Sequence, residues 1–166
     1  MKKIHALLSE LLRPTRLRDL TIPNSLISSF ERMVSNGSPM NMTFYGKPGI
    51  GKTSAARVLL NELNADVYEL NGSFNNGDKK MVSEIENFAM TYSLYGQIKV
   101  VFIDEADFLS KEAQASLRGI IERVSANTRF FLTANYYNRL TDAIISRCIS
   151  PRPATLFVIG SYSCCR

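Results

Sequence analysis

The sequence predicts an α/β sandwich built around a mostly parallel sheet, and three observations carry that expectation. Strand-like and helix-like segments alternate along the chain. KVVFID (99–104) is an almost unbroken apolar run ending on an acid, as a strand buried on both faces would be. A glycine-rich loop, Gly46 to Thr53, joins a strand candidate directly to a helix candidate.

In chain order, residues 24–36 place Leu26, Phe30 and Val34 on one helical face and stop at Gly37. MTFY (42–45) is a short strand feeding the glycine-rich loop, after which Ala56, Leu59, Leu60 and Leu63 follow helical spacing. VYEL (67–70) is a second strand, and NGSFNNGDKK (71–80) is a loop rich in turn formers. Met81, Ile85, Phe88 and Tyr92 mark the core face of a helix, which leads to the strand 99–104. Ala113, Leu117, Ile120, Ile121 and Val124 give another amphipathic helix, and TRFFLTAN (128–135) is a strand ending on a polar residue. Beyond Arg147 the pattern dissolves.

A length of 166 residues suits one domain with enough chain to bury a core, and 45% hydrophobic with 21% charged residues matches an ordinary globular protein. No run approaches the roughly 18 apolar residues of a membrane span, and the basic N-terminus acquires Glu10 and Arg13 before any secretory cleavage pattern, so the expected location is the cytoplasm. Cys148, Cys164 and Cys165 form neither a disulfide framework nor a zinc spacing. The net charge of +5 sits at the ends. Residues 1–18 contribute five cations against Glu10 (+4), residues 143–166 contribute three arginines (+3), and the body between them sums to −2. Bulk charge gives no independent case for nucleic acid.

Chemistry concentrates at a few positions. Gly46-Lys47-Pro48-Gly49-Ile50-Gly51-Lys52-Thr53, followed by Ser54, satisfies the phosphate-loop pattern G-x-x-x-x-G-K-[ST]. Its glycines let backbone N–H groups turn inward around phosphate oxygens, and the helix that follows adds partial positive charge. Lys52 can reach the β- and γ-phosphates of a nucleotide, and the Thr53 hydroxyl can ligate Mg²⁺. Asp104 and Glu105 follow the buried strand, at the edge where open α/β sheets bind ligands. Asp104 is placed to hold hydrated Mg²⁺ and Glu105 to polarise an attacking water, though a helix N-terminal acid pair is the plainer reading of both. Asn135 could bond a γ-phosphate and the attacking water, or be a turn asparagine. Arg147 could serve a transferring phosphoryl group, or be a solvated surface arginine. His5 carries no assigned role.

Taken in order, GKPGIGKT, VVFIDEAD, LTAN and SRC resemble the Walker A, Walker B, sensor 1 and arginine-finger motifs of AAA+ sliding-clamp loader ATPase subunits. LLRPTRLRDLTIP resembles the family's N-terminal segment, which lies against the adenine. NADVYELNGS resembles most closely the clamp-loader large subunit of T4-like bacteriophages, and EAQASLRGIIE, with Gln114 and Arg118, resembles the helix after Walker B. The likeness covers roughly residues 9–149.

The resemblance implies a P-loop, RecA-like three-layer sandwich with a five-stranded parallel sheet in the order 5-1-4-3-2. It implies a Mg²⁺-dependent ATPase that loads a ring-shaped clamp onto primer–template DNA, assembled with other loader subunits and acting in the cytoplasm, the host's if the chain is phage-encoded. Lys52, Thr53, Asp104, Glu105 and Asn135 would serve the chain's own ATP, with Gly46, Pro48, Gly49, Ile50, Gly51 and Ser54 shaping the loop. Arg13 and Pro14 would lie by the adenine. Arg147 would reach a neighbouring subunit's ATP. Lys79, Lys80 and Ser110 would lie near DNA, a solvated helix start being the equal alternative. On this scheme residues 1–23 are the adenine-side segment, 24–150 the ATPase core, and 151–166 an atypical tail. Family members continue into a helical lid and a collar domain, neither recognisable here, so the resemblance implies a truncated chain. A fragment that binds nucleotide or partner subunits without turnover is the competing function. A DEAD-box helicase fits less well, because LTAN replaces the serine-alanine-threonine motif.

Overall fold

The computed structural model describes residues 13–75, 79–93 and 96–148. Helix α1 (Asn24–Ser35) leads to strand β1 (Met42–Tyr45) and helix α2 (Lys52–Glu62). Strand β2 (Asp66–Asn71), the single turn α3 (Gly72–Asn75) and helix α4 (Lys79–Met90) follow. Strand β3 (Lys99–Asp104), helix α5 (Lys111–Arg123), strand β4 (Thr128–Ala134) and the short α6 (Asp142–Ile145) complete the described chain.

The sheet is wholly parallel, ordered β1-β4-β3-β2. That is the expected order for the four strands among the described residues. The expected fifth strand has no counterpart there, and residues 149–166, with the tail, lie outside them. The period-2 alternation of a strand sorts side chains between two cores. Val101 and Ile103 face a core built with α4, α5 and α6, through Met81, Ile85, Leu117, Ile120 and Ile144. Val100 and Phe102 face the other, built from α1, α2 and residues 17–22 through Phe30, Leu59, Leu17 and Ile22. Helices cover both faces, which is why β3 reads as a continuous apolar run. Because every strand runs the same way, β1, β4 and β3 end together, at Tyr45, Ala134 and Asp104.

Two readings of the sequence are corrected. Residues 71–80 are not one loop: Asn71 Oδ1 accepts both the Ser73 N–H (2.8 Å) and its hydroxyl (2.7 Å), a local cap that starts α3. Tyr92 does not join the core. Helix α4 ends at Met90, leaving Tyr92 78% exposed, and the small Ala89 takes the buried position. Helix α6 was unmarked by periodicity because four residues are too few to show any.

Candidate nucleotide site

The site forms where the strands end. The backbone of the glycine-rich loop takes left-handed conformations at Gly49 (φ 81°) and Gly51 (φ 88°), which residues with a Cβ rarely adopt. Gly51 immediately precedes α2, so the first free N–H groups of that helix open into the cleft. The cleft holds about 330 Å³ and is lined by Pro48, Gly49 and residues 51–54 of the loop and helix start, together with Asp104, Glu105, Thr133 and Asn135.

Lys52 is folded back over this loop. Its ammonium donates to the Gly46 carbonyl, the Lys47 carbonyl and Asn135 Oδ1, each at 2.9 Å. Burial lowers its pKa, and the negative charges of Asp107, Asp104 and Glu105 oppose that shift. The Thr53 hydroxyl donates to Asp104 Oδ1 at 2.9 Å. Thr133 donates its hydroxyl to the same Oδ1 and accepts the Glu105 N–H at 2.9 Å. Glu105 itself has a left-handed backbone (φ 55°, ψ 45°), a costly conformation for glutamate that clusters at functional sites. Behind it lies Gly72, where a Cβ would come within 2.6 Å of the Glu105 carbonyl oxygen.

Two participants went unassigned in the sequence. Thr133 lies inside LTAN and Asp107 inside DEAD, so the motif strings held the signal. The buried Asp107 accepts the Tyr136 N–H at 3.2 Å and fastens the turn that follows Asn135.

The other candidates lie elsewhere. Arg13 is exposed and Pro14 half-buried, and neither lines the cleft. Ile50 folds back on Gly46, whose Cβ would meet Ile50 Cδ1 at 2.6 Å. Lys79 and Lys80 are exposed on the first turn of α4, with Lys80 3.9 Å from Glu84. Ser110 caps α5 by accepting the Ala113 N–H at 3.1 Å. Arg147 is not in the cleft: it bonds Glu122 on α5.

The donor set suits a hydrated magnesium ion. Thr53 and Asp104 present oxygens only, and no group of three or more His, Cys, Asp or Glu among the described residues forms an all-protein cage. Mg²⁺ keeps waters and takes one or two protein oxygens alongside phosphate, which this pair matches. Glycine loop, helix N-terminus and lysine together form an anion cradle for a phosphate chain.

A parallel α/β sandwich with this cradle at its strand ends defines a P-loop nucleotide-binding fold. Residues 42–152 match the family model described as the ATPase family associated with various cellular activities, and the chain belongs to that AAA family. It is similar to replication factor C subunit 3 of Saccharomyces cerevisiae, at 37% identity over 82% of this chain and 42% of the relative. Replication factor C small subunit 1 of Pyrobaculum islandicum is 37% identical over 87% of this chain and 47% of the relative. A putative replication factor C small subunit of Acanthamoeba polyphaga mimivirus is 36% identical over 83% of this chain and 42% of the relative. The chain thus spans less than half the length of these relatives. Among solved structures, the Thermotoga maritima RuvB Holliday junction branch migration motor superposes with a TM-score of 0.68 at 22% identity, over 84% of this chain and 47% of that one, a likeness of fold.

Proposed function

We propose that this chain is the ATP-hydrolysing module of a sliding-clamp loader subunit, working at primer–template DNA during replication. One observation carries the reading: Lys52 of the phosphate loop is tied to Asn135 at the end of β4, and Thr53 to Asp104 at the end of β3, so two strand ends converge on one phosphate cradle. Similarity to replication factor C subunits over more than four fifths of the chain supports the clamp-loading assignment. The segment NADVYELNGS supports a T4-like bacteriophage origin, and with it action in the host cytoplasm.

In this reading the loop backbone from Gly46 to Ser54 and the Lys52 ammonium bind the β- and γ-phosphates. Thr53 and Asp104 hold the ion, and bound Mg²⁺ neutralises charge on the phosphate oxygens. Glu105 draws a proton from the attacking water, while Asn135 orients that water and the γ-phosphate. Arg13 and Pro14 approach the adenine as part of the segment 1–23, which precedes an ATPase core of residues 24–150 and a distinct tail, 151–166. Lys79, Lys80 and Ser110 face DNA. Arg147 serves the ATP of an adjoining subunit, so turnover requires assembly with other loader subunits.

The test is ATP binding and steady-state hydrolysis by the chain, alone and with a sliding clamp and primed DNA, using Lys52→Ala as control. Hydrolysis stimulated by clamp and DNA and lost in Lys52→Ala is the expected result. Binding without turnover under every condition would instead make the chain a nucleotide-binding module only.

A further inference from the structure

Arg147 is heavily committed within its own chain. Its Nε donates to Glu122 Oε1 at 2.7 Å, and Nη2 donates to the same oxygen. Nη1 donates to the Ala143 carbonyl at 2.8 Å and to the Ser146 hydroxyl at 3.0 Å. A guanidinium has five N–H donors, so little remains for an outside acceptor. The backbone is fastened too. The Arg147 carbonyl accepts from Asn41 Nδ2 at 3.3 Å, and Asn41 Oδ1 accepts the Phe130 N–H of β4 at 3.0 Å.

Glu122 has a second cation within reach. Arg118, one turn earlier on α5, lies 3.6 Å from the same Oε1. The hydrogen bond from Arg147 holds the Glu122 carboxyl below the usual carboxylate range, and the nearby charge of Arg118 adds to this. The carboxylate is therefore ionised at neutral pH and stands between two arginines.

We propose that Glu122 is a parking site for Arg147, holding its guanidinium within the chain until the phosphates of a neighbouring subunit's nucleotide draw it away. This rests on the reading of Arg147 as acting on an adjoining subunit. A fork bonded to a carboxylate cannot also grip a phosphate bidentately, so one anion must replace the other. The exchange is cheap, because the pair is partly exposed and Arg118 takes over the released carboxylate. Asn41 keeps the backbone in place while the side chain swings, so an unassembled chain rests with its arginine withdrawn.

Two measurements test this on the full chain. Hydrogen exchange at the Arg147 Nε–H, assigned by its loss in Arg147→Lys, is expected to be slow and to quicken in Glu122→Gln. Exchange already at the free-arginine rate in the unsubstituted chain would overturn the proposal. For the second, Arg147→Ala chains, which keep a nucleotide site, are mixed with Lys52→Ala chains, which keep Arg147, so hydrolysis arises only where one serves the other. Adding Glu122→Gln to the Arg147-bearing chain should raise that hydrolysis about two- to fivefold, the range expected for releasing an exposed ion pair. Arg118→Gln in the same chain should lower it, since Glu122 then has only Arg147 to hold. A merely structural role would move both variants in one direction, and that outcome, or no response to either, overturns the parking role. No hydrolysis in the mixture, or full hydrolysis by Arg147→Ala chains alone, would instead overturn the reading of Arg147 on which it rests.

Discussion

Lys52 donates to Asn135 Oδ1 at 2.9 Å, so a single side-chain contact joins the start of α2 to the end of β4. In the proposed role Asn135 acts when phosphoryl charge shifts, not when nucleotide first binds. Asn135→Ala is therefore expected to reduce the hydrolysis rate about a hundredfold, as losing one positioned polar group from a transition-state site does. Nucleotide affinity, read by titration with a fluorescent analogue, should change far less. Equal losses in affinity and rate would show that Asn135 only shapes the loop.

Thr133→Val tests the junction between β3 and β4. The hydroxyl serves Asp104 and the Glu105 N–H at once, and valine of similar shape serves neither. A part-buried N–H left without a partner costs about 1–3 kcal/mol, which urea unfolding should register. The concentration of Mg²⁺ needed for half-maximal nucleotide binding should rise, because Asp104 loses a group that orients it. Unchanged stability and Mg²⁺ dependence would make Thr133 a spectator.

Gln114 ties the α5 N-terminus to the chain leading into α6. Buried at 2% exposure, its amide donates to the Leu109 carbonyl (3.1 Å) and the Arg139 carbonyl (3.2 Å), and its oxygen accepts the Thr141 N–H (2.8 Å). Gln114→Leu keeps the bulk and strands those backbone groups, so the unfolding free energy should fall by about 2–3 kcal/mol. A variant as stable as the parent would mean that water replaces the amide.

Burial pushes the Cys148 thiol up from its ordinary 9.0 to about 11. The unfolded chain then releases the thiol proton first, so folding stability from this group is whole below pH 9 and falls as the pH climbs toward 11. By pH 10 the loss should be about 1 kcal/mol. Subtracting the urea stability of Cys148→Ala from that of the parent, at pH 8 and pH 10 under reducing conditions, isolates it from the other alkaline groups. A difference independent of pH would show that the thiol is solvated.

What the sequence by itself determined was local in origin. The phosphate loop needs eight consecutive residues, and its glycines and lysine act through the backbone around them. The strand KVVFID announces itself as an unbroken apolar run because both its faces are buried, and the α5 face Ala113, Leu117, Ile120 and Ile121 because burial on one side imposes period 3.6. Four strands and their order were legible on this basis and from the family resemblance. What only the tertiary structure decided depends on contacts between segments far apart in the chain. Thr133 meets Asp104 because Ile103 pairs with Leu132 in the parallel register, and shifting that register by one residue would turn the hydroxyl to the other face. Tyr92 left the core because α4 ended two residues before it, which no periodicity records. Glu122 and Arg147 are separated by 25 residues, and only the packing of α6 against α5 brings their charges together.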